Sequence, residues 1–267
     1  MARAIWSGSI NFGLVNIPIK LVTAVRDKDL KFNQLHEKDG ARIRYKKVCA
    51  KDGEEVPNDE IVKGYEVSAG HYVTLTDEEL EAADPKSTRQ VEIEDFVDQV
   101  QIDPMYYDKP YFLVPDKNAH KAYRLLLEAL VETDKVGLAR MVMHDKEHLV
   151  AIRARDGALV METMYFHDEL VPVSSLKEDL EGETGPTDKR QIALAQQLIE
   201  SLSAEFEPKK YKDHHRQRVQ DVIEKKAAGK KVVAEPASAP AGRTADLLVT
   251  LEASLAKAKK TTGKKAK

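Results

Sequence analysis

Cysteine is almost absent from this sequence of 267 residues, because Cys49 is the only one. A single thiol can form neither an internal disulfide nor a zinc site built from several cysteines, which favours a reducing compartment. The sequence also lacks any run of about 18 consecutive apolar residues, and its first residues lack the apolar core of a signal peptide. We therefore expect a soluble, cytoplasmic protein with no membrane partner.

Signatures of catalysis are scarce as well. The sequence has no Gly-rich phosphate-binding loop and no Gly-x-Ser-x-Gly motif, but His144-Asp145-Lys146-Glu147-His148 matches the His-x-x-Glu-His signature of some zinc proteases. That chemistry needs a helix, so that both imidazoles point the same way. Here the five residues join two strand-like segments, which favours a polar turn. We expect no catalytic residue, metal or cofactor; a metal-dependent hydrolase using His144, Glu147 and His148 is the alternative.

Neither sign of charge dominates the whole chain, since 42 Lys and Arg oppose 45 Asp and Glu for a net charge of -3. The balance disappears when the chain is divided. Residues 208–267 carry 16 Lys and Arg against 6 Asp and Glu, a net charge of +10, and residues 1–207 carry -13. An acidic body disfavours indiscriminate contact with nucleic acid, whereas a cationic terminal region favours it.

Basic residues are concentrated in three segments. The first holds five within ten residues, Arg42, Arg44, Lys46, Lys47 and Lys51. Alternation of the first three predicts one cationic face of a strand, suited to contact with phosphates; the alternative is a strand edge protected by charge. Residues 209–231 add nine basic residues against three acids, and residues 257–267 add six lysines and no acid. No sequence-reading motif is present, so binding to the backbone of a nucleic acid is indicated.

Short strands dominate the first two thirds of the chain. Residues 136–143, 149–154 and 158–165 predict a three-strand meander, and the Asp-Gly pairs at 39–40 and 52–53 predict two tight turns. The periodicity predicts one helix over residues 119–131 and another that starts after Thr76. An antiparallel barrel or sandwich with few helices is the expected body.

Helices dominate the C-terminal part. Asp188 is a suitable N-cap for an amphipathic helix, and a basic helix follows over about residues 213–228, with Gly229 as its stop. Residues 229–242 have the composition of a flexible linker. Leu247, Leu248, Leu251 and Leu255 then recur at helical spacing, before the lysine-rich end.

Several ordered motifs resemble bacterial Ku, the DNA end-binding family of non-homologous end joining. The resemblance covers about residues 3–229. It is carried by the opening Ala-Ile-Trp-Ser-Gly-Ser-Ile-Asn-Phe-Gly-Leu-Val-Asn-Ile-Pro at residues 4–18, and by the segments at residues 32–36, 42–49, 61–66, 75–80, 103–111, 198–199 and 206–213.

This resemblance implies an α+β, mainly β fold: a seven-stranded Ku-type β-barrel core with an extended bridge, which forms a ring-shaped homodimer around a DNA end. The implied core spans residues 1–187, with the bridge at about 31–72 and a dimerising helical arm at 188–229. A linker at 230–243 and a short helix with a disordered tail at 244–267 follow. A globule of 207 residues has a radius of gyration of about 17 Å, so encirclement requires arms and a second copy.

The resemblance further implies a non-catalytic, sequence-independent binder of double-stranded DNA ends that recruits and stimulates the ATP-dependent ligase D in double-strand break repair, in a bacterial cytoplasm at the nucleoid. A scaffold that meets DNA only through its basic tail is the remaining alternative. The residues expected to bind DNA are Lys31, Arg42, Arg44, Lys46, Lys47, Lys51, Lys63, Lys257, Lys259, Lys260, Lys264 and Lys265, and those expected to bind the ligase are Asp246, Leu247, Leu248, Leu251 and Leu255.

Overall fold

The computed structural model describes residues 3–83, 89–143, 146–180, 188–230 and 250–256. The chain divides into two compact units, Met1–Val171 and Pro172–Lys267. The boundary between them lies upstream of residue 187, where the predicted core ends, and the predicted domain limits stay predictions.

Seven strands of the first unit close into a barrel. Its strands follow the order β1-β2-β6-β9-β8-β7-β5, and each neighbouring pair is antiparallel except β1 and β5. The predicted meander is confirmed as β7, β8 and β9. The strand bounds are β1 Ala4–Phe12, β2 Val15–Thr23, β3 Lys63–Ser68, β4 His71–Leu75, β5 Gln90–Asp98, β6 Tyr107–Pro115, β7 Lys135–Met143, β8 Lys146–Arg155 and β9 Ala158–Met164.

The barrel closes through a short parallel seam. Strands β1 and β5 share three residue pairs, Ser9↔Gln90, Ile10↔Val91 and Asn11↔Glu92. Strand β1 turns directly into β2 at Gly13, whose φ of +57° is easy for glycine and costly for other residues.

Inward-pointing side chains fill the barrel, and a helix packs against them. Helix α2 (His120–Thr133) buries Tyr123, Leu126 and Leu130 at helical spacing in the same core cluster as side chains from all seven barrel strands. It contacts β2 and β8, which are not neighbours in the barrel, so α2 lies across one end of it. The helix predicted over residues 119–131 is thereby confirmed.

Helix α1 (Asp77–Ala83) begins at the predicted cap. The Glu79 amide donates to Thr76 Oγ1 at 3.1 Å, and the Thr76 amide donates to a Glu79 carboxylate oxygen at 2.9 Å. This reciprocal pair satisfies two backbone donors that have no partner inside the helix.

Residues 24–62, called the bridge segment from here on, connect β2 to β3 without any strand or α-helix. The two predicted turns are confirmed, with φ of +71° at Gly40 and +77° at Gly53. The strand predicted from Arg42 to Lys46 is wrong. Each turn is closed by one isolated bridge, Leu35↔Arg42 or Val48↔Glu55, and neither bridge extends into a ladder.

Strands β3 and β4 form a separate two-stranded hairpin in which almost every residue is exposed. Tyr65, Val67 and Tyr72 are 60–68% exposed. A lone two-stranded hairpin is marginally stable in water. We therefore expect the hairpin to be stabilised when these side chains pack against another surface.

The second unit is helical in its described part. It contains α3 (Lys177–Leu180), α4 (Lys189–Leu202), α5 (His214–Ala227) and a helical stretch at 250–256. The cap predicted at Asp188 is confirmed, because its side chain accepts a hydrogen bond from the Arg190 amide at 2.9 Å. Asp213 caps α5 in the same way by accepting from the Arg216 amide at 2.9 Å. Among the described helices, none combines the length and apolar character needed to span a membrane.

Candidate nucleic-acid interface

Two turns with the same hydrogen-bond pattern shape the bridge segment. In the first, the His36 amide donates to the Ala41 carbonyl at 2.8 Å and the Gly40 amide donates to the His36 carbonyl at 2.8 Å. Asp39 completes the turn by accepting from the Ala41 amide at 3.0 Å. That amide and the His36 side chain, both hydrogen-bonded to the carboxylate, lower the pKa of Asp39.

The second turn repeats this pattern thirteen residues later. The Cys49 amide donates to the Glu54 carbonyl at 2.8 Å, the Gly53 amide donates to the Cys49 carbonyl at 2.9 Å, and Asp52 accepts from the Glu54 amide at 3.0 Å. Residues 42–48 therefore run between two firmly hydrogen-bonded turns.

Charge is distributed unevenly over the bridge segment. The segment holds nine Lys and Arg and nine Asp and Glu, so its net charge is zero. Residues 41–51 nevertheless contain five of the cations and no acid. The positive charge thus lies on the stretch from one turn to the other.

Three of the predicted cations are paired with acids. Lys46 Nζ lies 2.5 Å from Glu55, Lys63 Nζ lies 3.0 Å from Asp77, and Lys31 Nζ lies 3.9 Å from Asp27. Exposed pairs of this kind add about 0–1 kcal/mol to stability. They do, however, neutralise the cations locally.

The other four predicted cations of this region have no acidic partner among the described residues, so no carboxylate offsets their positive charge. Arg42 donates to the Asn33 side-chain carbonyl at 2.6 Å and Lys47 donates to that of Asn58 at 3.0 Å, and an amide oxygen carries no net charge. Arg44 and Lys51 have no side-chain partner among the described residues. We call Arg42, Arg44, Lys47 and Lys51 the unpaired cluster.

Apolar side chains alternate with these cations, and the prediction of the site missed them. Ile43, Tyr45 and Val48 are 44%, 80% and 56% exposed. The Tyr45 hydroxyl donates to the Gln34 side chain, which fixes the ring. The signal was the alternation itself, in which every second residue between Arg42 and Lys46 is apolar.

The other predicted contact residues are only partly described. Lys257, Lys259, Lys260, Lys264 and Lys265 lie outside the described residues, as do the predicted partner-binding residues Asp246, Leu247 and Leu248. Leu251 is half-buried and Leu255 is 8% exposed, and Glu252 between them accepts a hydrogen bond from Arg190 at 3.1 Å. The helical stretch at 250–256 therefore packs within its own chain.

The described residues of the zinc-protease pattern, Lys146, Glu147 and His148, lie in strand β8. Glu147 and His148 are neighbours in β8, so their side chains point to opposite faces, and Glu147 accepts from Arg140 at 3.4 Å. His144 lies outside the described residues. Within the described part, no group of three or more His, Cys, Asp or Glu could hold a metal ion. The hydrolase alternative thus lacks the helix that its chemistry requires.

The fold defines an α+β, mainly β class, in which a closed seven-stranded barrel carries an exposed segment with a cluster of unpaired cations. Residues 11–194 match the family described as "Ku70/Ku80 beta-barrel domain". The chain is 50% identical over 262 residues to the non-homologous end joining protein Ku of Anaeromyxobacter sp. (strain K), covering 97% of this chain and 87% of that relative. It is 41% identical over 231 residues to the protein of that name from Archaeoglobus fulgidus, covering 86% and 90%.

A third relative of that name, from Desulfitobacterium hafniense, is 42% identical over 255 residues, covering 95% of this chain and 87% of the relative. The chain belongs to the Ku family. The fold expected from the resemblance, a seven-stranded mainly β barrel with additional helices, is confirmed.

Proposed function

We propose that this protein binds ends of double-stranded DNA without sequence preference and acts in double-strand break repair by non-homologous end joining. The observation that carries the proposal is the unpaired cluster, four cations without an acidic partner on an exposed segment of a Ku-family barrel. Lys and Arg that lack an acidic neighbour are free to neutralise phosphates, and each neutralised phosphate releases counterions. The names of the relatives support the same role.

Contacts with phosphates position a protein on DNA but carry no sequence information. The cations of the bridge segment lie on backbone without a strand or α-helix, not on a helix or ribbon that could enter the major groove. Binding independent of sequence is the expected consequence, and it suits a protein that must accept any broken end.

The active form that we propose is a homodimeric ring around the duplex. Exposed apolar side chains in each unit support a second copy as the missing surface. In the first unit they are Tyr65, Val67 and Tyr72 of the β3–β4 hairpin, and in the second they are Ile199 and Leu202 of α4, each 66% exposed. In a two-fold symmetric dimer each set of side chains occurs once in each copy, and a self-complementary interface would cover both sets in both copies.

We further propose that the protein performs no chemistry itself and recruits the ATP-dependent ligase D. Of the five residues expected to bind the ligase, we keep Asp246, Leu247 and Leu248 as the proposed docking residues, because Leu251 is half-buried and Leu255 is buried within the chain. The lysines Lys257, Lys259, Lys260, Lys264 and Lys265 would add contacts to DNA alongside the ring, since a lysine block gains order when it meets an anion.

The deciding experiment compares linear duplex with relaxed, covalently closed circular duplex of the same sequence and at the same salt concentration. Encirclement requires an end, so the linear form should bind and the circle should not. Equal affinity for the two forms would contradict the ring.

A truncated chain separates the ring from the alternative of a tail-only scaffold. A chain that ends at Gly229 lacks the lysine block and should bind linear duplex more weakly while it still discriminates against the circle. Loss of all duplex affinity in this chain would favour the scaffold, in which the tail alone meets DNA.

A further inference from the structure

A row of cations lies on the outer face of α2. Lys117 lies in the turn that leads into the helix, and Lys121 and Arg124 follow at helical spacing. All three residues are exposed, and none has a side-chain partner among the described residues. Residues 117–127 contain no acid, although the body that carries them is acidic. We call Lys117, Lys121 and Arg124 the α2 row.

The charges of α2 run against its helix dipole. Its first turn holds no acid and its last turn holds no base. Lys121 and Arg124 lie in the N-terminal half, and Glu128 and Glu132 lie in the C-terminal half. The N-terminal end of a helix carries a partial positive charge, so this arrangement lowers the stability of the helix. Lys121 and Arg124 are also neighbours on the helix surface and repel each other. Helix stability therefore does not explain the row, whereas a bound anion does.

The barrel fixes the position of the row. The Asp116 amide donates to the Pro18 carbonyl at 3.0 Å, which attaches the start of α2 to β2. Five residues later β2 ends at Thr23, where the bridge segment begins. Five residues of a strand span about 16 Å. The α2 row is thus a surface apart from the start of the bridge segment.

A contact between copies is the other use of an exposed helix face. The proposed dimerising segment, residues 188–229, holds nine Lys and Arg against seven Asp and Glu, so its net charge does not complement the row. Two α2 rows facing each other would repel. A phosphate backbone does complement the row, because Lys121 and Arg124, about 5–6 Å apart as helix neighbours, can each neutralise a phosphate.

We propose that the α2 row binds the phosphate backbone of duplex DNA from the side, without requiring an end. An exposed helix face can approach any stretch of a duplex, whereas a ring admits only an end. The contact is weak and sensitive to salt, so it is detected on closed circles only at low salt. The inference rests on the proposed function, because duplex DNA is the ligand of both surfaces.

The test uses the full chain and relaxed, covalently closed circular duplex at low salt, because a closed circle cannot enter the ring. Lys117→Gln with Lys121→Gln and Arg124→Gln should weaken binding of the circle about tenfold. The slope of log affinity against log salt concentration should become shallower by up to about 3 per subunit, since each phosphate contact contributes about 0.9. Linear duplex should also lose affinity but still bind more tightly than the circle. Electrophoretic mobility shifts over a salt series measure both.

A matched control removes the same charge from strands that contact α2. Lys20, Lys135 and Arg155 of β2, β7 and β8 face Asp116, Asp98 and Asp156 at 2.5, 2.7 and 3.4 Å. Changing these three residues to Gln should alter the salt slope by less than half as much. Equal losses in the two triple variants would overturn the proposal, because overall charge would then govern binding.

A second control keeps the charge of the row, with Lys117→Arg, Lys121→Arg and Arg124→Lys, and should keep the affinity for the circle. Two further results would overturn the proposal. Unchanged binding of both DNA forms by the Gln variant of the row would leave an acidic protein as its partner. A Gln variant that becomes monomeric, as detected by size-exclusion chromatography with light scattering, would assign the row to the contact between copies.

The same measurements separate this proposal from the proposed function. If the linear and circular duplexes bind equally while the Gln variant of the row loses affinity for both, the ring is wrong and the α2 row stands. If the linear form is preferred and the Gln variant loses affinity for neither form, only the α2 row fails.

Discussion

The Tyr123 hydroxyl accepts a hydrogen bond from the Leu159 backbone amide at 2.7 Å, across 36 residues of sequence. The same hydroxyl donates to the Leu113 carbonyl at 2.9 Å. Leu113 and Leu159 face each other at one end of the β6–β9 ladder. Tyr123 therefore ties α2, the helix across the end of the barrel, to two neighbouring strands.

Removal of this hydroxyl should destabilise the barrel. Tyr123→Phe keeps the ring but leaves two buried backbone groups without this partner, and each such loss costs about 1–3 kcal/mol. We expect the free energy of unfolding to fall by about 2–4 kcal/mol, measured by urea denaturation. Tyr165→Phe is the control, because the Tyr165 hydroxyl makes a single long hydrogen bond of 3.4 Å to Asp108 at an exposed position. This change should alter the free energy of unfolding by no more than about 0.5 kcal/mol. Equal effects of the two changes would contradict this role of Tyr123.

Stability should also depend on alkaline pH through the same side chain. Burial raises the pKa of Tyr123, and burial likewise raises the pKa values of Tyr107 and Tyr111. The unfolded chain then ionises first, at the ordinary tyrosine pKa of about 10. Stability is complete below that pH and is lost as the pH rises from there through the higher pKa of the folded state.

The measurement is urea denaturation at several pH values from about 8 to about 11. The free energy of unfolding of the unchanged protein should fall more steeply above pH 10 than that of Tyr123→Phe, since the variant has one buried phenol fewer. Parallel curves would show that ionisation of Tyr123 contributes nothing.

The periodicity of apolar residues in the sequence predicted those strands and helices that bury one face in the barrel core. The meander at residues 136–165 and helix α2 each show one apolar face in the sequence, and each faces the barrel core in the structure. The alternation from Arg42 to Lys46 misled, because alternation reports which way side chains point and not whether another strand lies alongside. The parallel seam of β1 and β5 left no sequence signal, since it joins residues about eighty positions apart through only three pairs.

The candidate site was predictable in composition but not in charge pairing. All seven cations named for the bridge and β3 are exposed there, yet Lys46 meets Glu55 only because the second turn brings them together. Lys63 meets Asp77 through the β3–β4 hairpin and the start of α1. Pairings of this kind depend on turn geometry, which residue types alone do not determine.

The barrel seam should be sensitive to one methyl group. A Cβ at Gly8 would contact the Arg89 carbonyl oxygen and the Trp6 ring, and that carbonyl accepts from the Ser9 amide at 3.0 Å. Gly8→Ala should therefore open the contact between β1 and β5, at a cost of about 2–3 kcal/mol in the free energy of unfolding.

Gly13→Ala is the matched control for the seam. Its Cβ would meet nothing within 4 Å, so only the φ of +57° opposes the change, for about 1 kcal/mol. Thermal and urea unfolding of both variants would show which of the two changes lowers the free energy of unfolding more. A larger loss at Gly13 than at Gly8 would mean that the seam adapts to the added methyl group.

The unpaired cluster should matter more for DNA binding than its paired neighbours. Changing Arg44, Lys47 and Lys51 to Gln removes three charges that have no acidic partner. The slope of log affinity against log salt concentration should become shallower by up to about 3 per subunit, because each phosphate contact contributes about 0.9. Affinity for linear duplex at low salt should fall accordingly, as measured by fluorescence anisotropy over a salt series.

The control changes Lys31, Lys46 and Lys63 to Gln, which alters the net charge by the same amount. These three lysines face Asp27, Glu55 and Asp77, so fewer of them are available to a phosphate. The salt slope should change by less than half as much, and neither triple variant should shift the unfolding midpoint, since exposed ion pairs contribute little to stability. Equal slopes for the two variants would show that overall charge, and not contact by the unpaired cluster, governs binding.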